Sequence, residues 1–251
     1  ETYPKMLFEV DNSNNTAAHN AAWSGSIAVL SYLVNNGIDP WYRTSDEETL
    51  MHRACINDQL EMTKYLVEMY PKMLYEVDNS EKTPAVHAAE CGNVAVLRYL
   101  IDSGTDPWYR TSDNETFLHS ACINGQLEMS KYLVETYPKM LLEVDKHKRT
   151  PAHNAAQSGN VDLLSYLIDR GIDPWSKTSL EDTLLHRACV NDQLEMIKYL
   201  VETYPKMLHE VDSSGRTPAH DAACNGYISV LSYLIDERSD PWRRTSEEET
   251  L

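Results

Sequence analysis

The sequence predicts an all-α solenoid assembled from tandem helix-turn-helix pairs. Three observations carry that prediction. The string Tyr-Pro-Lys-Met-Leu starts at Tyr3, Tyr70, Tyr137 and Tyr204, 67 residues apart each time. Asp-Pro-Trp starts at Asp39, Asp106, Asp173 and Asp240 with the same 67-residue step. Within each block a threonine recurs, at Thr16, Thr49, Thr83, Thr116, Thr150, Thr183, Thr217 and Thr250, stepping alternately by 33 and 34. A period of that size marks a repeat architecture, in which one supersecondary unit stacks on the next to bury a continuous core.

Each unit opens on its threonine, a good helix N-cap whose hydroxyl is expected to accept from an orphan amide of the first turn. Proline follows at Pro84, Pro151 and Pro218, where the first helical position tolerates it best. A short apolar helix comes next, such as Ala18 to Trp23. A break follows at Ser24-Gly25, Asn57-Asp58 and Asn124-Gly125. The second helix carries apolar residues at helical spacing: Val29, Leu30, Leu33 and Val34 in one unit, Met62, Tyr65 and Leu66 in the next. Gly37, Gly104 and Gly171 stand where a helix end wants a left-handed residue. Pro71, Pro138 and Pro205 end the second helix of alternate units, each one residue longer than its partner unit.

The run Thr150-Pro151-Ala152-His153-Asn154-Ala155-Ala156, then Gly159, Leu163-Leu164, Leu167 and Gly171-Ile172-Asp173, resembles the ankyrin repeat. The resemblance covers the whole chain as a single array over residues 1–251. Its repeats run over about 16–48, 49–82, 83–115, 116–149, 150–182, 183–216 and 217–249. An incoming helix tail and finger occupy 1–15, and a further repeat starts at 250–251. Two departures stand out. Val86 replaces the usual histidine, with His87 after it, and Asp58 and Asp192 stand where an inter-helix glycine is usual. The resemblance implies an ankyrin-type helical-repeat solenoid with projecting hairpin-like fingers. It also implies a non-catalytic protein-protein interaction scaffold, met by its ligands at the finger tips and the exposed face of the first helix.

Composition narrows the partners. Asp and Glu number 39 against 22 Lys and Arg, for a net charge of -17. Such a surface repels phosphate backbones, which argues against nucleic acid and for a protein partner with a basic segment. No apolar run approaches the roughly 20 residues that cross a bilayer, so no membrane insertion is expected. The five cysteines include Cys55, Cys122 and Cys189 at one repeat position, too far apart to bridge. Free thiols fit a reducing compartment, and a cytoplasmic location is expected on that ground.

Tests for chemistry come out against catalysis, and no cofactor is expected. The sequence lacks a phosphate loop, a metalloprotease helix motif and a nucleophile elbow. His52/Cys55, His119/Cys122 and His186/Cys189 place two zinc-type ligands on one helical face. Zinc wants four ligands, however, and both residues sit in packing and capping slots, so no metal is expected. His87 with Cys91 reads the same way. The acid clusters Asp46-Glu47-Glu48, Glu181-Asp182 and Glu247-Glu248-Glu249 lack calcium-loop spacing and precede helix starts, whose dipole favours them. The sequons at Asn14 and Asn114 end on threonines that already have a capping role.

Candidate partner contacts fall into three sets. One row of fingers carries Trp41-Tyr42-Arg43, Trp108-Tyr109-Arg110, Trp175-Ser176-Lys177 and Trp242-Arg243-Arg244. Each Trp is either a contact anchor or packs on the neighbouring repeat with the cation over its face. Differences between copies are more telling, because the scaffold demands what the copies share. The tip Lys146-His147-Lys148-Arg149 is basic where the others are not, and would receive an acidic segment. The first-helix face varies through Asn20, His87, Asn154 and Asp221, and beside them Trp23, Glu90, Gln157 and Cys224. An exposed Trp23 would be a hot spot.

Two other function classes stay open. Neither end of the sequence reads as a polar capping repeat, which permits head-to-tail self-association into a structural rod or filament. The cheaper expectation is the ordered middle of a longer protein, including a targeting module of a larger enzyme or toxin.

Overall fold

The computed structural model describes residues 9–237, and among them the architecture is wholly helical. The helices come in pairs: α1 Ala17–Trp23 with α2 Ile27–Asn35, α3 Leu50–Ile56 with α4 Leu60–Met69, and α5 Pro84–Cys91 with α6 Val94–Asp102. The same order continues through α7 Phe117–Ile123, α8 Leu127–Thr136, α9 Pro151–Ser158 and α10 Val161–Asp169. It ends with α11 Leu184–Val190, α12 Leu194–Thr203, α13 Pro218–Cys224 and α14 Ile228–Asp236.

The chain forms two compact units, residues 1–112 and 113–251. In the first, α1, α3 and α5 pack side by side, each against its own second helix, and α4 packs on α6. In the second, α7, α9, α11 and α13 form the row of first helices, backed by α8, α10, α12 and α14. First helices touch through small residues: Ala18, Ala22, Ala54, Ala88, Ala121, Ala155 and Ala188 are fully buried. The second helices supply the bulk, with Leu30, Met62, Leu66, Leu97, Met129, Leu133, Leu164 and Leu200 sealed from water. Burying a side chain of that size contributes about 1.5–3 kcal/mol.

Seven threonines, from Thr16 to Thr217, hold the extended N-cap conformation. Their capping goes further than the expected hydroxyl-to-amide bond. That bond is present in the sixth unit, where the Thr183 hydroxyl accepts from the His186 amide at 3.4 Å. In six units a histidine three residues on caps in return. The Thr49 amide and hydroxyl both lie on Nδ1 of His52, at 3.1 and 2.9 Å. An amide can only donate, so Nδ1 is unprotonated and the ring proton sits on Nε2. That nitrogen then donates across to the next finger, His52 to the Lys82 carbonyl at 3.1 Å. His119 does the same to Arg149 at 3.1 Å, and His186 to Arg216 at 3.0 Å. The result is a capping box with histidine in the Glu/Gln position. Where Val86 replaces the histidine, the buried Thr83 hydroxyl has no hydrogen-bond partner.

Gly37, Gly104 and Gly171 take positive φ as expected, at 97°, 113° and 104°. Asp58 and Asp192 adopt the same left-handed backbone as the inter-helix glycines, at 54° and 56°. Pro71, Pro138 and Pro205 follow the ends of α4, α8 and α12, and each starts a short 3-10 turn: Pro71–Tyr75, Pro138–Leu142 and Pro205–His209. Not every apolar residue of the second helices is inside. Val29 is 50% exposed, while its counterpart Val96 is buried in α6, on which α4 packs. No described helix precedes α2 in that row. Ile228 of α14, the last described helix, is 81% exposed.

Candidate interaction face

The fingers are tight turns clamped from within. Asp78 Oδ1 accepts the amides of Ser80 and Lys82 at 2.8 and 2.9 Å, and Asp11, Asp145 and Asp212 repeat the clamp. In the alternate fingers the Thr44 and Thr178 hydroxyls take that role. Tips are also joined sideways by backbone bonds. In the first unit Ser45 donates to Ser13 and Asn79 to Asp46, both at 2.9 Å. In the second unit Lys146 donates to Asp113, Ser179 to His147 and Ser213 to Leu180, at 2.8–2.9 Å.

The first-helix face is mixed rather than uniformly open. Asn20 is exposed, and Trp23 is 39% exposed beneath the Arg53 guanidinium, which lies 4.6 Å from its ring centroid. Arg53 is held there by Glu48, 3.0 Å away. His87 is half-buried between two carboxylates, Nε2 2.8 Å from Asp78 and Nδ1 3.4 Å from Glu90. Burial opposes its charge, but Glu90 and Asp78 outweigh that and raise its pKa. Glu90 also binds Lys82 at 2.6 Å.

Two candidates are not on the surface. Asn154 is fully buried and donates to the His119 carbonyl at 3.2 Å. Asp221 is 4% exposed, and burial pushes its carboxyl up to about 7, against the pull of Arg216, 3.8 Å away. Both lie where the preceding first helix covers the position. Gln157 is half-buried, accepting from Arg187, and Cys224 is exposed.

The tryptophan row is turned to a neighbour. Trp41 meets Tyr70 edge-on at 6.1 Å and Trp175 meets Tyr204 at 5.9 Å, leaving Trp41, Trp108 and Trp175 about 40% exposed. Two of the cations beside them turn to carboxylates. Arg43 pairs with Glu76, and Lys177 with Glu210 at 2.8 Å. Tyr42 is exposed near the His19 ring, at 6.4 Å, whereas Tyr109 donates to the Glu81 carbonyl at 2.9 Å. Trp242 lies outside the described residues. The basic tip is partly neutralised: Lys146 pairs with Asp113, and Arg149 with Asp145 and Glu115. His147 and Lys148 are exposed.

The metal-type pairs are otherwise occupied. Nδ1 and Nε2 of His52 are taken by Thr49 and Lys82, and the Cys55 thiol is pushed up to about 12 by burial, beside Thr63. Cys122 is likewise pushed up to about 12. All five cysteines are free, and no described helix is long and apolar enough to cross a membrane.

Sequence reasoning missed Arg53 and Arg187. They share one column with Ser120, and the copy-to-copy variation that singled out Trp23 was present there too.

Helix pairs, clamped fingers and a variable polar face define a helical-repeat module. The chain belongs to the ankyrin-repeat family: the family model for ankyrin repeats (3 copies) matches residues 19–111, 104–178 and 175–245. Ankyrin repeats are generally protein-interaction modules, and the fold is typically non-catalytic. A Caenorhabditis elegans homologue of transient receptor potential cation channel subfamily A member 1 is 29% identical over 79% of this chain. Alpha-latrocrustotoxin-Lt1a of Latrodectus tredecimguttatus is 26% identical over 86%. The chain spans 16% of the length of each. The crystal structure of the human ASB11 ankyrin repeat domain superposes with a TM-score of 0.68 at 22% identity, over 90% of this chain and all of that one.

Proposed function

We propose that this chain is a non-catalytic scaffold that binds a protein segment along the first-helix face and the finger tips. The observation that carries this reading is the Trp23–Arg53 pair. A large aromatic ring, part-exposed and stacked by a guanidinium that Glu48 holds in place, has the make-up of an interface hot spot. His87, Glu90 and Lys82 extend the same polar face. The net charge of -17 favours a partner with a basic segment, and five free thiols fit a cytoplasmic setting. Trp41, Trp108 and Trp175 rank lower, because the neighbouring repeat already holds Trp41 and Trp175.

The test is selection of binding peptides from a displayed random library, then titration of the winners against the chain and its Trp23→Ala variant. Loss of about tenfold or more in affinity on Trp23→Ala is expected for an anchor of this kind. Binders indifferent to Trp23, His87 and the 146–149 tip would sink the proposal.

A second reading has one observation in its favour: the chain matches a small part of a channel homologue and of a toxin. It would then be the binding or targeting module of a larger protein. Self-association is a third reading, and growth of light scattering with concentration would reveal it.

A further inference from the structure

A cleft of about 210 Å³ opens between two fingers of the second unit, lined by His147, Arg149, Ser179, Leu180, Asp182 and Arg187. The 67-residue period supplies internal controls for it. Arg187 corresponds to Ser120 and Arg53, Asp182 to Glu115 and Glu48, and Gln157 to Trp23. In the first block Arg53 is neutralised by its own repeat, with Glu48 at 3.0 Å and the Trp23 ring beneath, although its Nε–H, like that of Arg187, has no acceptor. In the second, Glu115 turns to Arg149 at 3.3 Å. In the third, Asp182 is a methylene shorter than Glu48 and makes no ion pair with Arg187. Trp23 has become Gln157, so the guanidinium donates to a neutral amide oxygen instead.

Arg187 is thus a half-buried cation that makes no ion pair among the described residues, and its buried Nε–H has no acceptor. Asp182, Asp221 and Asp145 act on it only through space. A guanidinium held out of water in this way is best complemented by a carboxylate, which accepts two of its parallel N–H groups.

We propose that this cleft receives the carboxylate of an acidic side chain on a protein partner, with Arg187 as its counter-ion. The stem of that side chain lies along Leu180, which is exposed, and Ser179 and His147 stand at the rim. Asp182 in the same lining discriminates against a doubly charged phosphate. The proposal rests on the protein-binding reading above and adds the chemistry of one contact.

The test uses the whole chain and three blocked hexapeptides that differ at one position: glutamate, glutamine or phosphoserine. Binding is followed on the Arg187 Nε–Hε resonance. The glutamate peptide should shift that signal saturably and bind about tenfold tighter than the glutamine peptide. Asp182→Glu, which rebuilds the Glu48–Arg53 pair, should weaken glutamate binding by about tenfold with thermal unfolding unchanged. Equal binding of the glutamate and glutamine peptides, preference for phosphoserine, or an unaffected Asp182→Glu variant would overturn the assignment. A library-selected binder that loses affinity in Trp23→Ala but not in Asp182→Glu would leave the scaffold reading standing and remove this contact from it.

Discussion

At His52, His119 and His186 the histidine of the third helical position joins three groups that would otherwise be orphans, whereas Nε2 of His19 and His153 has no partner. Nδ1 satisfies an amide and a hydroxyl of its own unit, and Nε2 reaches a carbonyl of the next. His52→Ala is expected to lower stability by about 1–3 kcal/mol, since a buried amide and a part-buried carbonyl both lose their partner. His52→Gln should recover part of that, because glutamine can close the same box. Urea unfolding measures both. Burial holds His52 and His153 near a pKa of about 4, so the folded state favours the neutral ring. Their contribution is complete above pH 6.5 and is lost as pH falls through about 4. At Val86 the box is missing and the Thr83 hydroxyl is left over. Val86→His should therefore raise stability by about 1 kcal/mol in the same assay. Asp221 runs the other way. Its folded pKa is raised, so the stability it gives as a neutral group is present below pH 3.8 and lost as pH rises through about 7. Asp221→Asn should stabilise the chain by up to about 4 kcal/mol at pH 8 and leave it almost unchanged at about pH 3. Unfolding at the two pH values would decide it.

At the scale of elements, most of the fold was legible. Threonine spacing placed the helix starts, proline marked three of them, and glycine marked the ends of second helices. The Thr-x-x-His pattern was visible too, but which atom caps which depends on a ring orientation that spacing does not convey. The first-helix face was harder to read. Asn20, Asn154 and Asp221 occupy one column, yet only Asn20 is open, because exposure there is decided by the preceding helix rather than by the residue. The inter-helix turn offers a clean test. Gly159 has φ of +78°, and a Cβ there would stand 2.0 Å from Gln193 Oε1. The side chain can move but the backbone cannot, so Gly159→Ala should cost about 1–2 kcal/mol, read as a lower urea midpoint.

For the whole molecule, the unit of construction is the pair of repeats. Deleting residues 83–149 removes one full 67-residue period and should leave the pattern of alternating units intact. Helix content per residue by circular dichroism is expected to stay the same while the unfolding midpoint falls, since an array's stability sums over units and interfaces. Deleting 83–115 alone would bring two units of one kind together and should unfold the junction. The family was fully legible at this scale, because a period is a property of the entire chain. The cleft at Arg187 was not, since it depends on the length of one acid and the identity of one neighbour.

The sideways bonds between finger tips have a consequence for how such a chain can diversify. Loop tips are ordinarily where insertions are tolerated. Here each amide such as Ser45, Asn79, Lys146, Ser179 and Ser213 is stitched to a carbonyl of the preceding tip. An extra residue would push one tip out of step and break two stitches, one on either side. New recognition must then arise by exchanging side chains on turns of constant length, as the four tips that begin at Asp11, Asp78, Asp145 and Asp212 already show.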